Sequence, residues 1–234
     1  MTPFRIKKSV LPPAGSSLAV LASGGLDSAI LVGEALRAGI CVHPLYVRCG
    51  FYWEKAEHSC LERYLKALPG SLLRPLHLLE MPITDVYEAH WSLTGRDVPN
   101  ADSPDEAVYL PGRNILLLSK ALLWCRLHEL AAIALAPLAG NPFADATPAF
   151  FQAYESVVNQ AINGRVRILC PYAEMSKQEV MRRAQGLPLD LTFSCIRPVS
   201  GHHCGRCNKC AERRRAFRDA GIADATVYDW DFVA

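Results

Sequence analysis

The sequence predicts an α/β fold: a doubly wound, mainly parallel five-stranded sheet with helices on both faces and a small cysteine-rich helical appendage at the C-terminus. Three observations predict it. Apolar β-type runs alternate with helical patterns along most of the 234 residues, as βαβ units with right-handed crossovers require. The first apolar run breaks into Ser23-Gly24-Gly25-Leu26-Asp27-Ser28 before a helical pattern begins. Four of the nine cysteines cluster near the C-terminus. On this basis residues 1–190 form the α/β domain, and 191–234 form an extension packed on it.

Each element has its own justification. Leu18-Ala19-Val20-Leu21-Ala22 is an uninterrupted apolar run, suited to a strand (18–22) buried on both faces. The periodicity from Ala29 to Leu36 predicts helix 28–37. Strand 41–48 and helix 54–67 repeat the unit, and strand 73–79 follows. Segment 91–110 is rich in Pro, Asp and Gly and carries little periodicity. Loops of that length in compact domains usually serve function, so it is expected to be a lid or a substrate wall. The longest apolar region, 115–138, is interrupted by Lys120, Arg126, His128 and Glu129. It therefore predicts a buried helix (113–129) and a strand (131–136), not a membrane span. Helix 148–162, strand 167–170 and helix 176–185 complete the domain. Arg213-Arg214-Arg215, the one charge run, is expected on the solvated face of a C-terminal helix, with phosphate contact as the alternative.

Ligands of such sheets bind beyond the carboxyl ends of the strands, near the switch in strand order. The loops after the first, second and fourth strands (23–28, 48–54 and 137–147) should therefore open onto one cleft. Half the residues are apolar and the net charge is +2, so composition supplies no argument for a nucleic-acid partner. The stretch 1–17, with Lys7, Lys8, Pro12 and Pro13, lacks the apolar core of a signal peptide. Neither a membrane nor a nucleic acid is expected as a partner, and the expected compartment is the cytoplasm.

The first loop carries the chemistry. A strand feeding a helix through two glycines aims backbone N–H groups and the helix dipole at an anion, here the phosphate chain of a nucleotide. Ser23 and Ser28 add hydroxyl donors. Asp27 would repel phosphate unless it holds a Mg²⁺ that bridges to it. The loop lacks the lysine of G-x-x-x-x-G-K-[ST] and is not a Walker loop. A Gly-Gly pair alone would signify only a turn with Asp27 and Ser28 capping a helix. All six positions together, after a buried-type strand, resemble a known enzyme loop of the form S-G-G-x-D-S, and that resemblance outweighs the turn reading. A second anion signature, Pro111-Gly112-Arg113-Asn114, precedes an apolar helix. An arginine in a first helical turn is misplaced against the dipole unless an anion lies between them. Arg113 is thus expected to clamp phosphate or carboxylate with its bidentate fork; taken alone the tetrapeptide reads equally as a surface arginine after a Pro-Gly turn, and its weight comes from joining the first loop.

Cys195, Cys204, Cys207 and Cys210 are spaced C-x8-C-x2-C-x2-C. Clustering in a cytoplasmic chain points to metal rather than disulfides, and four thiolates satisfy tetrahedral Zn²⁺ with no open position. Gly201 and Gly205 supply the backbone freedom of such a knot, and Arg206, Lys209 and Arg213 would offset its charge. An iron–sulfur cluster and a site using His202 or His203 are the rivals; all-cysteine zinc is preferred. Cys41, Cys49, Cys60, Cys125 and Cys170 read as core residues, with Cys49 placed at the cleft.

The loop resembles the S-G-G-x-D-S loop of the ATP pyrophosphatases, which adenylate a substrate and release pyrophosphate. Loop, P-G-R-N and cysteine knot stand in the same order as in 7-cyano-7-deazaguanine synthases, and from about Leu18 to Ala220 the chain resembles that family. The resemblance implies a PP-loop sheet of the adenine-nucleotide alpha-hydrolase type. It implies an ATP-dependent carbon–nitrogen ligase that adenylates 7-carboxy-7-deazaguanine, amidates it with ammonia and dehydrates the amide to 7-cyano-7-deazaguanine, in queuosine biosynthesis. ATP, Mg²⁺ and a structural Zn²⁺ are implied, as is a homodimer. Carried onto this chain, Ser23, Gly24, Gly25, Leu26, Asp27, Ser28, Arg113 and Asn114 would hold the nucleotide, with Asp27, Ser28 and Arg113 serving the chemistry. Arg48, Gly140 and Asp145 would meet the acid, and the four clustered cysteines the metal.

The chain departs from the family at two places. Tyr46-Val47-Arg48-Cys49-Gly50 stands where the family has Tyr-Gly-Gln-basic. The stretch from Gly140 to Thr147 replaces an acidic run followed by Gly-Tyr-Pro-Asp-Cys-Arg; Asp145 matches the aspartate and Thr147 replaces the arginine. Two alternatives follow: a paralogue joining an adenylated deazaguanine or other acid to a different amine, and a PP-loop tRNA thiolase using Cys49.

Overall fold

The computed structural model describes residues 11–229. Lys7 and Lys8 of the N-terminal stretch, and 230–234 of the assigned extension, lie outside them. Five strands, β1 (Ser17–Leu21), β2 (Cys41–Arg48), β3 (His77–Glu80), β4 (Ala132–Ala134) and β5 (Arg167–Leu169), form one sheet in the order β3-β2-β1-β4-β5. Every pairing is parallel, with Ser17 beside Cys41 and Ala19 beside Ile133. The strand order reverses between β1 and β4.

Side-chain alternation along the strands splits the core. Leu18 and Val20 of β1, with Ala132 and Ala134 of β4, pack beneath α1 (Leu26–Arg37), α2 (Glu54–Ala67), α7 (Lys177–Arg182) and α8 (Asn208–Ala220). Ala19, Leu45 and Ile133 face the other way, against α5 (Arg113–Leu127) and α6 (Pro148–Ala161). Burial on both faces explains why these strands are continuously apolar. Two short helices, α3 (Thr84–Tyr87) and α4 (Trp91–Thr94), occupy the connection after β3. Among the described residues no helix is long and apolar enough to cross a membrane.

The expected strand 73–79 is interrupted. Val42 N–H donates to Leu72 O at 2.8 Å, and two residues on, Pro44 has no N–H to offer the same neighbour. Pairing at Leu73 is therefore an isolated bridge, and β3 restarts only at His77. Helix α7 is shorter than 176–185 because Arg183 N–H turns to Val180 O at 2.9 Å and Gly186 takes a left-handed φ of +74°. Its start is a capping box, with Ser176 and Glu179 each satisfying the other's backbone N–H.

The arginine run corrects one expectation. Consecutive helical residues are about 100° apart, so three of them cannot share a solvated face. Arg213 is 1% exposed. Its Nε donates to Thr226 Oγ1 at 2.8 Å, Nη1 to Thr192 Oγ1 at 2.8 Å and Ser194 Oγ at 3.3 Å, and Nη2 to Leu189 O at 2.9 Å. Arg214 lies over the Tyr228 ring, 4.0 Å from its centroid, and Arg215 alone is exposed.

Candidate active site

The carboxyl ends of β1, β2 and β4 open onto a cavity of about 280 Å³. The first loop forms one side. Gly25 is the extended N-cap of α1, and Ala29 N–H, bonded to Gly25 O at 3.0 Å, makes the first intrahelical bond. The amides of Leu26, Asp27 and Ser28 precede it, as an anion cradle requires. Ser28 Oγ lies 3.2 Å from both Gly25 O and Ser23 Oγ, so neither Asp27 nor Ser28 serves as the helix cap. Gly24 has φ +76°, and a Cβ there would stand 3.2 Å from Leu61 Cβ and 3.4 Å from Glu57 O. The glycine thus sets the loop's curvature and admits the close approach of α2.

Opposite lies the start of α5. Gly112 is its left-handed N-cap, and Arg113 and Asn114 both line the cavity. Arg113 Nε is buried without a hydrogen-bond partner, and the guanidinium sits 5.3 Å from the centroid of the Phe51 ring. A buried donor left without an acceptor costs about 1–3 kcal/mol, which an anionic ligand there would recover. Asp145, on the loop after β4, is 6% exposed. Its Oδ2 accepts from Asn114 N–H at 2.9 Å, and its carbonyl accepts from Asn114 Nδ2 at 2.8 Å. The carboxylate thus caps α5 and lines the cavity. Ser23, Gly25, Asp27, Ser28, Arg113, Asn114 and Asp145 are brought together from three separate segments.

Two expected substrate residues lie elsewhere. Arg48 pairs with Glu54 at 3.6 Å and Glu80 at 3.2 Å and lines neither this cavity nor the next. Gly140 lines a second cavity of about 390 Å³ beside it, with Lys177, Lys209 and Glu212. Asp27 lines both, its two oxygens 2.9 and 2.7 Å from Lys177 Nζ. Thr147 caps α6, accepting from Phe150 N–H at 3.1 Å. Cys49 is buried, and burial pushes its thiol up to about 11. A thiol held protonated at neutral pH is a poor nucleophile.

Three cavity-side residues were missed: Tyr46, Glu57 and Lys177. Tyr46 donates to Glu57 Oε2 at 2.7 Å. Nothing local in the sequence marks that pair. Lys177 did carry a signal, since it is a cation in a first helical turn, the criterion that singled out Arg113.

The segment 91–110 forms part of the cavity wall. Val108, Tyr109 and Leu110 line the first cavity, while Ala101 N–H bonds to Arg206 O at 2.9 Å and Asn208 N–H to Pro99 O at 3.0 Å. Those bonds pin it to the cysteine cluster. There the ligand atoms of Cys195, Cys204, Cys207 and Cys210 all lie within 4.8 Å of one another. Cys195–Cys207 and Cys204–Cys210 sulfur pairs are each 3.9 Å apart. A tetrahedral ion with metal–sulfur bonds of about 2.3 Å holds its sulfurs about 3.8 Å apart, so the cluster could hold a metal ion. Arg197 and Cys204 amides donate to Cys195 Sγ at 3.3 Å. His203 accepts Ser194 N–H on Nε2 at 3.1 Å and stands outside the cluster. Phe193 N–H, two residues before Cys195, bonds to Gly24 O at 2.7 Å, so the knot buttresses the glycine loop.

A parallel α/β sheet with a glycine-turned, lysine-free anion cradle at its switch point defines a PP-loop nucleotide-binding protein. The family model "Queuosine biosynthesis protein QueC" matches residues 17–221, and the chain belongs to that family. It is 32% identical to a 7-cyano-7-deazaguanine synthase from Brucella anthropi, covering 91% of this chain and 94% of that one. Identity to the enzyme of that name from Syntrophobacter fumaroxidans is 32%, over 89% and 94%. Among solved structures, a 4-thiouridine synthetase–RNA complex with bound ATP superposes with a TM-score of 0.49 at 15% identity, covering 89% of this chain and 52% of that chain.

Proposed function

We propose that the chain is a cytoplasmic ATP-dependent ligase that converts 7-carboxy-7-deazaguanine and ammonia to 7-cyano-7-deazaguanine. The observation that carries this reading is the convergence of the glycine loop, Arg113 and Asp145 on one cavity at the strand-order switch. A carboxylate is a poor electrophile, so AMP is first transferred to it and pyrophosphate leaves. Ammonia displaces AMP to give the amide; a second adenylation on the amide oxygen and loss of AMP give the nitrile. The chain's part is positioning and charge stabilisation. The amides of residues 26–28 and the Ser23 and Ser28 hydroxyls face the phosphates, and Arg113 supplies the unspent donor on the opposite wall. Asp145 keeps one oxygen for the donor edge of a guanine-like base.

Asp27 is the carboxylate that would hold Mg²⁺ beside the phosphates; its oxygens accept from Lys177 and each retains a lone pair. The ion supplies neutralisation of the phosphate charge. For the cysteine cluster the metal is zinc. Four sulfurs converging on one centre fit a single tetrahedral ion, whereas an iron–sulfur cluster spreads its thiolates over several irons. A homodimer fits the exposed Leu123 and Leu127 of α5 and Val157 of α6.

Incubating the protein with 7-carboxy-7-deazaguanine, ammonium and MgATP, with mass spectrometry of the products, tests the reading. Nitrile with release of pyrophosphate supports it. AMP release without amide or nitrile overturns the named product and favours a different amine. That second reading has its own support: at the two places of departure, Arg48 and Thr147 are engaged outside the cavity.

A further inference from the structure

The proposed reaction releases protons on nitrogen. When the amine attacks the acyl-adenylate, a C–N bond forms, the C–O bond to AMP breaks, and one N–H proton must leave. Adenylation of the amide oxygen releases the second proton as pyrophosphate departs. Elimination of AMP to form the C≡N bond releases the third. A base beside the reacting carbon is therefore needed, and three carboxyls line the cavity: Asp27, Glu57 and Asp145. Both Asp27 oxygens face Lys177 Nζ, and Asp145 spends an oxygen capping α5. Among the described residues Glu57 has no ion-pair partner; its Oε2 accepts from Tyr46 at 2.7 Å, and Trp53 also hydrogen-bonds the carboxyl.

We propose that Glu57, oriented by Tyr46, is the base that accepts these protons, an inference that rests on the ligase reading above. Helix α2 packs close to the loop, where a Cβ on Gly24 would stand 3.2 Å from Leu61 Cβ, and it carries Glu57 to the cavity. The groups facing the carboxyl are Tyr46 from β2 and Arg113 from α5, with Trp53 and Glu54 from the start of its own helix. Burial raises the Glu57 carboxyl to about 7, against the lowering pull of the Tyr46 hydrogen bond and the Arg113 charge. A general base works best when its pKa lies near the operating pH. Tyr46 is itself pushed well above the usual phenol range, by burial first and then by Glu57. It therefore keeps its proton and is a positioning residue.

The test compares two reactions in wild type and Glu57→Gln: acid-dependent exchange of pyrophosphate into ATP, which reads adenylation alone, and nitrile formation. Glu57→Gln is expected to lose nitrile formation by about 100-fold more than exchange and to lose the rise in rate through pH 7. Tyr46→Phe, which removes a hydrogen bond to the carboxylate form, is expected to move that rise to higher pH. Equal loss of both reactions in Glu57→Gln, or an unaltered pH profile, overturns the proposal. Absence of exchange in the wild type overturns the ligase reading instead, and with it the need for this base.

Discussion

Replacing Arg213 by alanine tests whether the charge run is structural. Its guanidinium joins Leu189 O, Thr192 and Ser194 on one side to Thr226 on the other, and its charge lies 5.1 Å from the centroid of the Phe217 ring. Truncating a large buried side chain costs about 2–5 kcal/mol. Hydrogen bonds from a charged group add about 1.5–3 kcal/mol each, while deleting a buried charge returns the desolvation spent on it. These opposing terms place the loss at about 2–4 kcal/mol. For a chain of this size each kcal/mol lowers Tm by about 2–4 °C, so a drop of about 4–16 °C is expected by circular dichroism. Arg215→Ala, two residues on and exposed, should stay within about 0.5 kcal/mol of wild type. A fall below 2 °C for Arg213→Ala, or equal falls for both variants, refutes the reasoning.

Asp27→Asn should abolish pyrophosphate exchange with little change in Tm, because Lys177 retains Glu212 at 3.3 Å; exchange at wild-type rate would remove Asp27 from the phosphate site. Cys207→Ser should lower both bound metal, measured by mass spectrometry, and Tm, since binding energy at a structural site is folding energy; an unchanged melt with the metal lost would make the knot dispensable. The raised Glu57 carboxyl predicts a pH effect on stability. Between its ordinary 4.5 and about 7 the folded chain holds a proton that the unfolded chain has released. This contribution is complete at low pH and is lost as pH rises through 7. Wild-type Tm should therefore fall more than that of Glu57→Gln between pH 5 and 8, and parallel curves would contradict the assignment.

Much of the site was legible because its chemistry is local. Ser23 to Ser28 and Gly112 to Asn114 are contiguous turn-plus-helix starts, and their anion preference follows from backbone geometry within one turn. Convergence of the cysteines also follows from spacing, since short gaps can close on one ion. Glu57 was illegible because its character comes from Tyr46, eleven positions away, and from desolvation where α2 packs against the cavity wall. Arg48 and Gly140 were placed by position after a strand, but where a loop side chain points depends on which partner reaches it. Glu54 and Glu80 reached Arg48.

From the sequence alone came the parallel α/β class, the glycine-rich loop after the first strand, the arginine opposite it and the four-cysteine cluster. Each is written in periodicity or spacing over a few residues. Only the tertiary structure decided that Asp27 faces Lys177, that the knot props the glycine loop through Phe193 and Gly24, that Arg213 is buried, and that burial raises the Glu57 carboxyl to about 7. Those are properties of desolvation and of contacts between distant segments. They exist only once the helices are packed on the sheet, where burial removes the water that would otherwise level such differences.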